Sequence, residues 1–565
     1  MSIEDTYVFT TAEESVIQKD WACGSSIQMT TTEFVLDYVG KAYKGNYRKV
    51  KYAPAWWKII DECIVNAIDQ TIRTGKVTVI NIGFNKNGQV RIYNDGPGVE
   101  VVVHKVATEK LGKITYLPTL IFGTLFQGSN RTRAPDCITG GTNGLGAKLA
   151  NCYSDDFIVE TSDHVNMMYL RQKWYKHMSI ADPPIIIDMR QPHKLNDLHT
   201  HPHTTVVFNP DYVNLFGYKQ FGIDEYNELV SVVRMRAALA SAYVGFACKG
   251  VSVWFNDELL PFKSMSDIAT VLFPGASVVK TLITPLIDPK KKSRIYYKYK
   301  WEVTAVIVPN NYVNNLSNVN GIVVRSGNHN KHIKGLITDA VQEKISKMFN
   351  EKEAKLSGSY IHDNLVIMMN AQIPNPAWTG QRKDELVISI KKFEGYLLDT
   401  KFTSKLTELM QESVTNNILS NVPTATGKKN STVKYEKYTP ALKCNTKQSL
   451  DCTIIAVEGD SAMTQACTGI ANSMGFELHG VISVGGVIMN ARKQCTVIET
   501  VTGKYVKSST KLDKNILVNA LCEVTGLNPS YSYTKNSHTY KKEMSELRYG
   551  HLCCYVDQDT DGKGN

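Results

Sequence analysis

The chain has 565 residues, so at about 150 residues per domain it holds about four domain-sized units and is no single small module. Its 43% hydrophobic and 21% charged residues are values of a globular chain and exclude a disordered one. Lys+Arg 64 against Asp+Glu 54 leaves a net charge of +10, an excess too mild on this length to establish an anionic partner by itself.

The opening segment MSIEDTYVFTTAEE has no basic stretch ahead of an apolar core, so no secretory signal is expected and an intracellular location is. Residues 54–74 predict a helix, with Trp56, Ile59, Ile60, Cys63, Ile64, Ala67, Ile68 and Ile72 forming one apolar stripe. Glu62, Asn66, Asp69 and Arg73, spaced by four, three and four, line a second face together. A glutamate there can polarise an attacking water, and an amide oxygen four residues on can hold Mg²⁺ on phosphates; a solvated helix face carries the same pattern. VTVINIGF and QVRIYN around the turn NKNG predict a hairpin, followed by Asn94-Asp95-Gly96-Pro97-Gly98. In Gly140-Gly141-Thr142-Asn143-Gly144-Leu145-Gly146-Ala147-Lys148, glycines let backbone N–H groups approach an anion, and the helical pattern resuming at Ala147 turns a helix N-terminus toward it. No G-x-x-x-x-G-K-[ST] is present, and the glycine loop lacks the upstream strand and downstream acid of a dinucleotide fold.

The longest weakly polar stretch, residues 237–248, is short of the ~20 residues of a membrane-spanning helix. It reads as a buried helix, and no membrane association is expected. Residues 1–262 read as one α+β domain, 263–402 as a second, 403–450 as a helical and basic linker, and 451–565 as an α/β domain. In the last, Glu458-Gly459-Asp460-Ser461-Ala462 and Asp557-Gln558-Asp559-Thr560-Asp561-Gly562 each follow a strand-like run. Two such strand ends side by side would gather Glu458, Asp557 and Asp559 into one Mg²⁺ site. The alternative for the second group is an EF-hand loop, against which stands the strand-like, not helical, run before it. The 12 cysteines include no C-x-x-C, so reduced thiols are expected, with neither a zinc ribbon nor a disulfide framework.

The ordered set E-x-x-x-N, D-G-x-G and G-x-x-G-x-G resembles the Bergerat (GHKL) ATP-binding sandwich of type IIA topoisomerases, Hsp-class chaperones, mismatch-repair clamps and histidine kinases. The resemblance implies Glu62 as general base and Asn66 as magnesium ligand. It implies Asp95 as adenine contact with Gly98 beside it, and Gly141, Asn143, Gly144, Gly146 and Lys148 as the phosphate loop. Ser129 and Asn130 would contact ribose and phosphate, and Thr204 in HTTVVFNPD would close the pocket floor.

NDGPGVEVVVHK, LIFGTLFQGSN, GGTNGLGAKLANCYS, VNGIVVRSGNH and AWTGQRKDEL resemble, in order, the eukaryotic and viral type IIA DNA topoisomerases, with details nearest the branch of large cytoplasmic DNA viruses. The resemblance implies an ATPase domain, a ribosomal-protein-like α+β transducer whose Gln381 and Lys383 reach the γ-phosphate, and an incomplete TOPRIM domain with Glu458, Asp557 and Asp559. It further implies ATP and Mg²⁺ as cofactors and double-stranded DNA as partner. A homodimer would close on ATP, with residues before about Trp21 exchanged between protomers. The compartment implied is host cytoplasm or virion for a viral protein, otherwise the nucleus.

Where that family carries R-G-K, this chain has Gly485-Gly486-Val487 before the matching Asn490. Lys347, Lys352 and Lys355 are interleaved with Glu351 and Glu353, which predicts modest, salt-sensitive DNA contact there. Arg548-Tyr549 precedes the strand leading to Asp557 and is read as structural, not as the cleavage tyrosine, so this stretch alone is expected to hydrolyse ATP without cutting DNA. The alternatives are an ATP-switched DNA clamp without strand cleavage, and a chaperone-type ATPase, which the Gln381/Lys383 context disfavours.

Overall fold

The computed structural model describes residues 11–18, 20, 22–127, 137–141, 144–191, 201–285, 299–308, 315–348, 358–421, 437–484, 495–500, 503–508, 516–528, 533 and 540–555. The chain is a multidomain α+β protein that divides into two compact units, Met1–Val414 and Thr415–Asn565.

The first unit starts with helix α1 (Ala12–Gln18) and the hairpin β1 (Met29–Val39) and β2 (Ala42–Tyr52). Helix α2 (Pro54–Thr74) begins where Pro54 takes the first turn, which needs no N–H. It stops at Gly75, whose φ of 62° lets its N–H turn back to the Thr71 carbonyl. Strands β3 (Val79–Phe84) and β4 (Val90–Asp95) form the hairpin the alternation predicts, in register Ile80↔Asn94 and Phe84↔Val90. Short helices α3 (Lys105–Leu111), α4 (Leu117–Gly123) and α5 (Gly146–Cys152) lead to β5 (Ser154–Asp163), β6 (Met168–Tyr175), β7 (Ile180–Ala181), β8 (Ile185–Asp188) and β9 (His203–Pro210). After the long helix α6 (Ile223–Ala247) come β10 (Ser252–Phe255) and β11 (Glu258–Leu259), completing a nine-stranded sheet of order β11-β10-β3-β4-β9-β5-β6-β7, with β8 on β6.

Period-2 alternation gives that sheet one apolar face: Ile80, Ile82, Phe84, Val90, Ile92, Phe157, Val159, Val206 and Phe208 share one core with α2, α5 and α6. Helix α6 is long and apolar enough to cross a membrane, yet 89% of its most apolar window is buried inside this unit, so it is a core helix. Of residues 237–248, expected to be a buried helix, 237–247 are its C-terminal part and Cys248 is its C-cap.

Helix α7 (Met265–Leu272) leads into a second sheet of order β12-β13-β17-β14-β15, from β12 (Ser277–Ile283), β13 (Trp301–Ile307), β14 (Leu316–Val319), β15 (Ile322–Val324) and β17 (Leu365–Ala371). The β14–β15 hairpin turns on Asn320-Gly321, with φ of 52° and 80°, the pair that two-residue turns favour. Strand β16 (Ser326–Gly327) pairs with β18 (Glu385–Leu386), helices α8 (Asn328–Met348) and α9 (Gly358–Asp363) complete the unit's main elements, and α10 (Thr400–Asn421) begins in it and ends past Val414. Trp301, fully buried, stacks on Tyr396 with ring centroids 4.1 Å apart.

The second unit is built on the sheet β19-β21-β20-β24, from β19 (Tyr438–Thr439), β20 (Thr453–Glu458), β21 (His479–Val484) and β24 (His551–Tyr555), with β22 (Cys495–Thr500) and β23 (Gly503–Ser508) forming a separate antiparallel pair. Strand β20 runs parallel to both neighbours, and helix α11 (Gly459–Ser473) follows it directly. Tyr549 is buried, its hydroxyl 2.7 Å from that of Tyr438 and accepting the Ala441 N–H at 2.9 Å, which is a structural role.

Candidate nucleotide site

The helix-facing side of the large sheet changes character along its strands. Where Phe84, Val90 and Phe208 give way toward the other end, the register places Asn94 opposite Thr204 and Thr204 opposite Thr161, a row of small polar side chains. All three are buried, and the Thr161 and Thr204 hydroxyls lie 3.4 Å apart. Thr161 also accepts the Val99 N–H at 2.8 Å, and a Cβ on Gly98 would come 2.3 Å from the Ser162 carbonyl, so the Asp-Gly-Pro-Gly segment is pinned onto this row and needs its glycine. Gln70 of α2 holds the same segment through the Pro97 carbonyl at 2.8 Å.

Alternation sends Asp95 to the opposite face. Its carboxylate accepts the Thr78 and Val79 N–H groups at 2.7 and 2.8 Å and the Thr78 hydroxyl at 2.5 Å, so it caps the start of β3 and does not face the row. The adenine contact expected at Asp95 is therefore not where its side chain points; Asn94, which sequence reasoning passed over, faces the row.

Helix α2 brings Glu62 and Asn66 together as the i,i+4 spacing requires. A Cβ on Gly146 would lie 3.0 Å from Glu62 Oε2 and 3.4 Å from Asn66 Nδ2, so the start of α5 closes on both side chains. Asp69, one turn on, accepts the Gly140 and Gly141 N–H groups at 2.7 and 2.8 Å and anchors the first half of the glycine loop. Burial pushes the Asp69 carboxyl up to about 6, with the two N–H groups opposing. Gly144 takes a φ of 62°, and its carbonyl accepts from Lys148 Nζ at 2.6 Å, as does that of Gln127. Burial lowers the Lys148 ammonium to about 8.

The long-range partner of Glu62 is Lys383. Its Nζ lies 3.0 and 3.4 Å from the two carboxylate oxygens, at 2% side-chain exposure, and its backbone takes a φ of 60°, a strained conformation for a lysine. Gln381 sits two residues earlier in the same loop, half-buried. Lys58 Nζ, on the same turn of α2, is 3.0 Å from Glu62 Oε1 and 2.9 Å from Asp61 Oδ2, and Arg236 Nε of α6 donates to Asp61 Oδ1 at 2.6 Å. Burial alone would raise the Glu62 carboxyl, but the Lys383 and Lys58 ammoniums pull it down to about 2.

Glu62, Asn66, Gly146 and Lys383 thus converge, beside a glycine loop carrying Gly141, Gly144 and Lys148. Ser129, Asn130 and Asn143 lie outside the described residues, as do Asp557 and Asp559. In the second unit Glu458 ends β20 while Tyr555 ends β24 beside Val457, two residues before Asp557. Of the ions that sequence reasoning missed, Lys58 stood four residues before Glu62 and was open to the same spacing argument. Arg236 has no local signal, because it arrives from a helix 175 residues away.

A family model described as DNA gyrase B matches residues 273–435. DNA topoisomerase 2 of African swine fever virus is 32% identical over 530 residues, covering 91% of this chain and 42% of that protein, and the Saccharomyces cerevisiae enzyme is 28% identical, covering 91% and 34%. Among solved structures, the ATPase and transducer domains of DNA topoisomerase II from Balamuthia mandrillaris match with TM-score 0.62 and 26% identity over 74% of this chain and 99% of that one. The ATPase region of Saccharomyces cerevisiae topoisomerase II gives TM-score 0.60 and 26% identity over 74% and 100%.

Sheet, glycine loop and the E-x-x-x-N helix have the arrangement of the GHKL-type ATPase fold, followed by a second α+β region built on its own sheet. More narrowly, the chain is similar to the ATPase and transducer region of the type II DNA topoisomerases. It spans less than half the length of the topoisomerase relatives named above.

Proposed function

We propose that this chain is the ATP-binding and ATP-hydrolysing gate of a type II DNA topoisomerase, closing as a homodimer around duplex DNA inside a cell or virion. The observation that carries the reading is the buried Glu62 carboxylate held by Lys383 from the second domain and flanked by Asn66 and Gly146. With a pKa near 2, a carboxylate paired to two lysines is a poor base. Lys383 turning to a terminal phosphate leaves Glu62 with Lys58 alone, which raises its basicity only when nucleotide is in place. Glu62 then takes the proton of the attacking water. Asn66 would hold Mg²⁺ through its amide oxygen, and the ion supplies charge neutralisation at the phosphates. Asn94, Thr161 and Thr204 form the floor for the base, with Gly98 allowing close approach. The backbone N–H groups of the glycine loop and Lys148 take the phosphates, and Ser129, Asn130 and Asn143 belong to the same site by resemblance. In the second unit, Glu458 with Asp557 and Asp559 would form the TOPRIM Mg²⁺ site that serves DNA strand passage.

Sedimentation with a non-hydrolysable ATP analogue tests the gate. The reading predicts a doubling of mass on nucleotide binding; a mass unchanged at saturating nucleotide contradicts it.

A further inference from the structure

Beyond Lys383, the base has a second connection to the other domain. The Gly321 carbonyl, in the β14–β15 turn, accepts from Arg236 Nη2 at 2.9 Å, and Arg236 Nε donates to Asp61 at 2.6 Å. Asp61 accepts from Lys58 Nζ at 2.9 Å, and the same Nζ lies 3.0 Å from Glu62 Oε1. Side-chain exposure along this line is 2% for Arg236, 0% for Asp61, 4% for Lys58 and 3% for Glu62, so each charge depends on its neighbours for solvation. Lys58, Asp61 and Glu62 share one turn of α2, which keeps their order.

The turn at the far end is tied to the segment that follows β17. The Asn320 side chain donates to the Ile373 carbonyl at 2.7 Å and accepts the Ile373 N–H at 2.9 Å. The same turn presses on the nucleotide elements, since a Cβ on Gly321 would lie 2.9 Å from Ile68 Cγ2 of α2, and Ile322 packs at the Gly140 position of the glycine loop. A cavity of about 300 Å³ borders Lys58 and Arg236, leaving these side chains room to follow the turn if it moves.

We propose that Arg236 is a positioning residue that ties the base Glu62, through Asp61 and Lys58, to the β14–β15 turn of the second domain. Displacement of that turn shifts Asp61, changes how Lys58 is shared between the two carboxylates, and moves Glu62. This inference rests on the ATPase reading.

The test compares the full chain with Arg236→Lys, measuring turnover, affinity for a fluorescent non-hydrolysable ATP analogue, and thermal midpoint. A lysine keeps the Asp61 pair, but its single ammonium lacks the fork that spans Asp61 and Gly321 together. The proposal predicts kcat down about tenfold or more with affinity within about threefold, the signature of a contact that matters after binding. Gly321→Ala, which alters no charge, gives the same kcat defect, and adding Ile68→Ala to it restores part of the rate. Arg236→Lys with kcat within about twofold of wild type overturns the proposal. So does a joint fall of kcat, affinity and thermal midpoint without recovery in the double variant, because that is the mark of a merely structural pair. If Arg236→Lys does not fold, the Gly321→Ala pair decides. Glu62→Ala in the same assay shows separately whether hydrolysis uses this site at all.

Discussion

Asn94 and Asp95 are adjacent, yet pleating sends them to opposite faces of the sheet. The account predicts that Asn94→Ala weakens ATP binding about tenfold or more, as loss of a buried specific contact does. Asp95→Ala instead removes the acceptor of two backbone N–H groups. It should cost about 1–3 kcal/mol of stability in a denaturant titration while leaving affinity nearly unchanged. Equal affinity losses in the two variants would refute the assignment. Lys148 carries a pH prediction. Its folded pKa of about 8 lies below the ordinary 10.5, so between those values the folded protein has shed this proton while the unfolded chain keeps it, and folding stability rises with pH across that window. A phosphate beside the ammonium favours its charged form, so nucleotide affinity should decline as pH rises through about 8 and flatten in Lys148→Met, as calorimetric titration across that range would show. At this scale the meeting of Glu62 with Asn66 was legible from their i,i+4 spacing, whereas Lys148 and Lys383 were singled out only by the family resemblance. The choice between Asn94 and Asp95 was not, because alternation gives two faces and only the packed helices say which is inside.

Among the elements, the glycine segments are those that tolerate least. A Cβ on Gly98 would meet first the Ser162 carbonyl, backbone that cannot swing away, and then the Thr161 hydroxyl at 2.7 Å. Gly98→Ala should therefore shift the whole Asp-Gly-Pro-Gly segment, lowering the thermal midpoint and nucleotide affinity together; an unchanged midpoint would show that the segment is looser than its contacts indicate. The β3–β4 hairpin was readable from strict alternation around NKNG, and α2 from its apolar stripe. The second sheet was readable only as strands. Its central pairing, β14 parallel to β17, joins segments about fifty residues apart, and no local pattern specifies such a partner. The polar chain from Gly321 to Glu62 was hidden for the same reason.

Across the whole molecule, Glu62 of the first sheet's helix layer is paired with Lys383, which follows the strands of the second sheet, so under the proposed function nucleotide occupancy and the position of the second sheet are linked. The order of motifs along the chain made this organisation legible, whereas the mild charge excess said little about DNA. Duplex DNA held through phosphates should be released steeply as salt rises, which filter binding across a salt series would measure. The most direct test of the central claim is steady-state ATP hydrolysis by the wild-type chain and by Glu62→Ala, each with and without duplex DNA. The account predicts hydrolysis by the wild type, raised by DNA, and a loss of about a hundredfold or more in Glu62→Ala with nucleotide still bound. Hydrolysis of equal rate in the two proteins would contradict it.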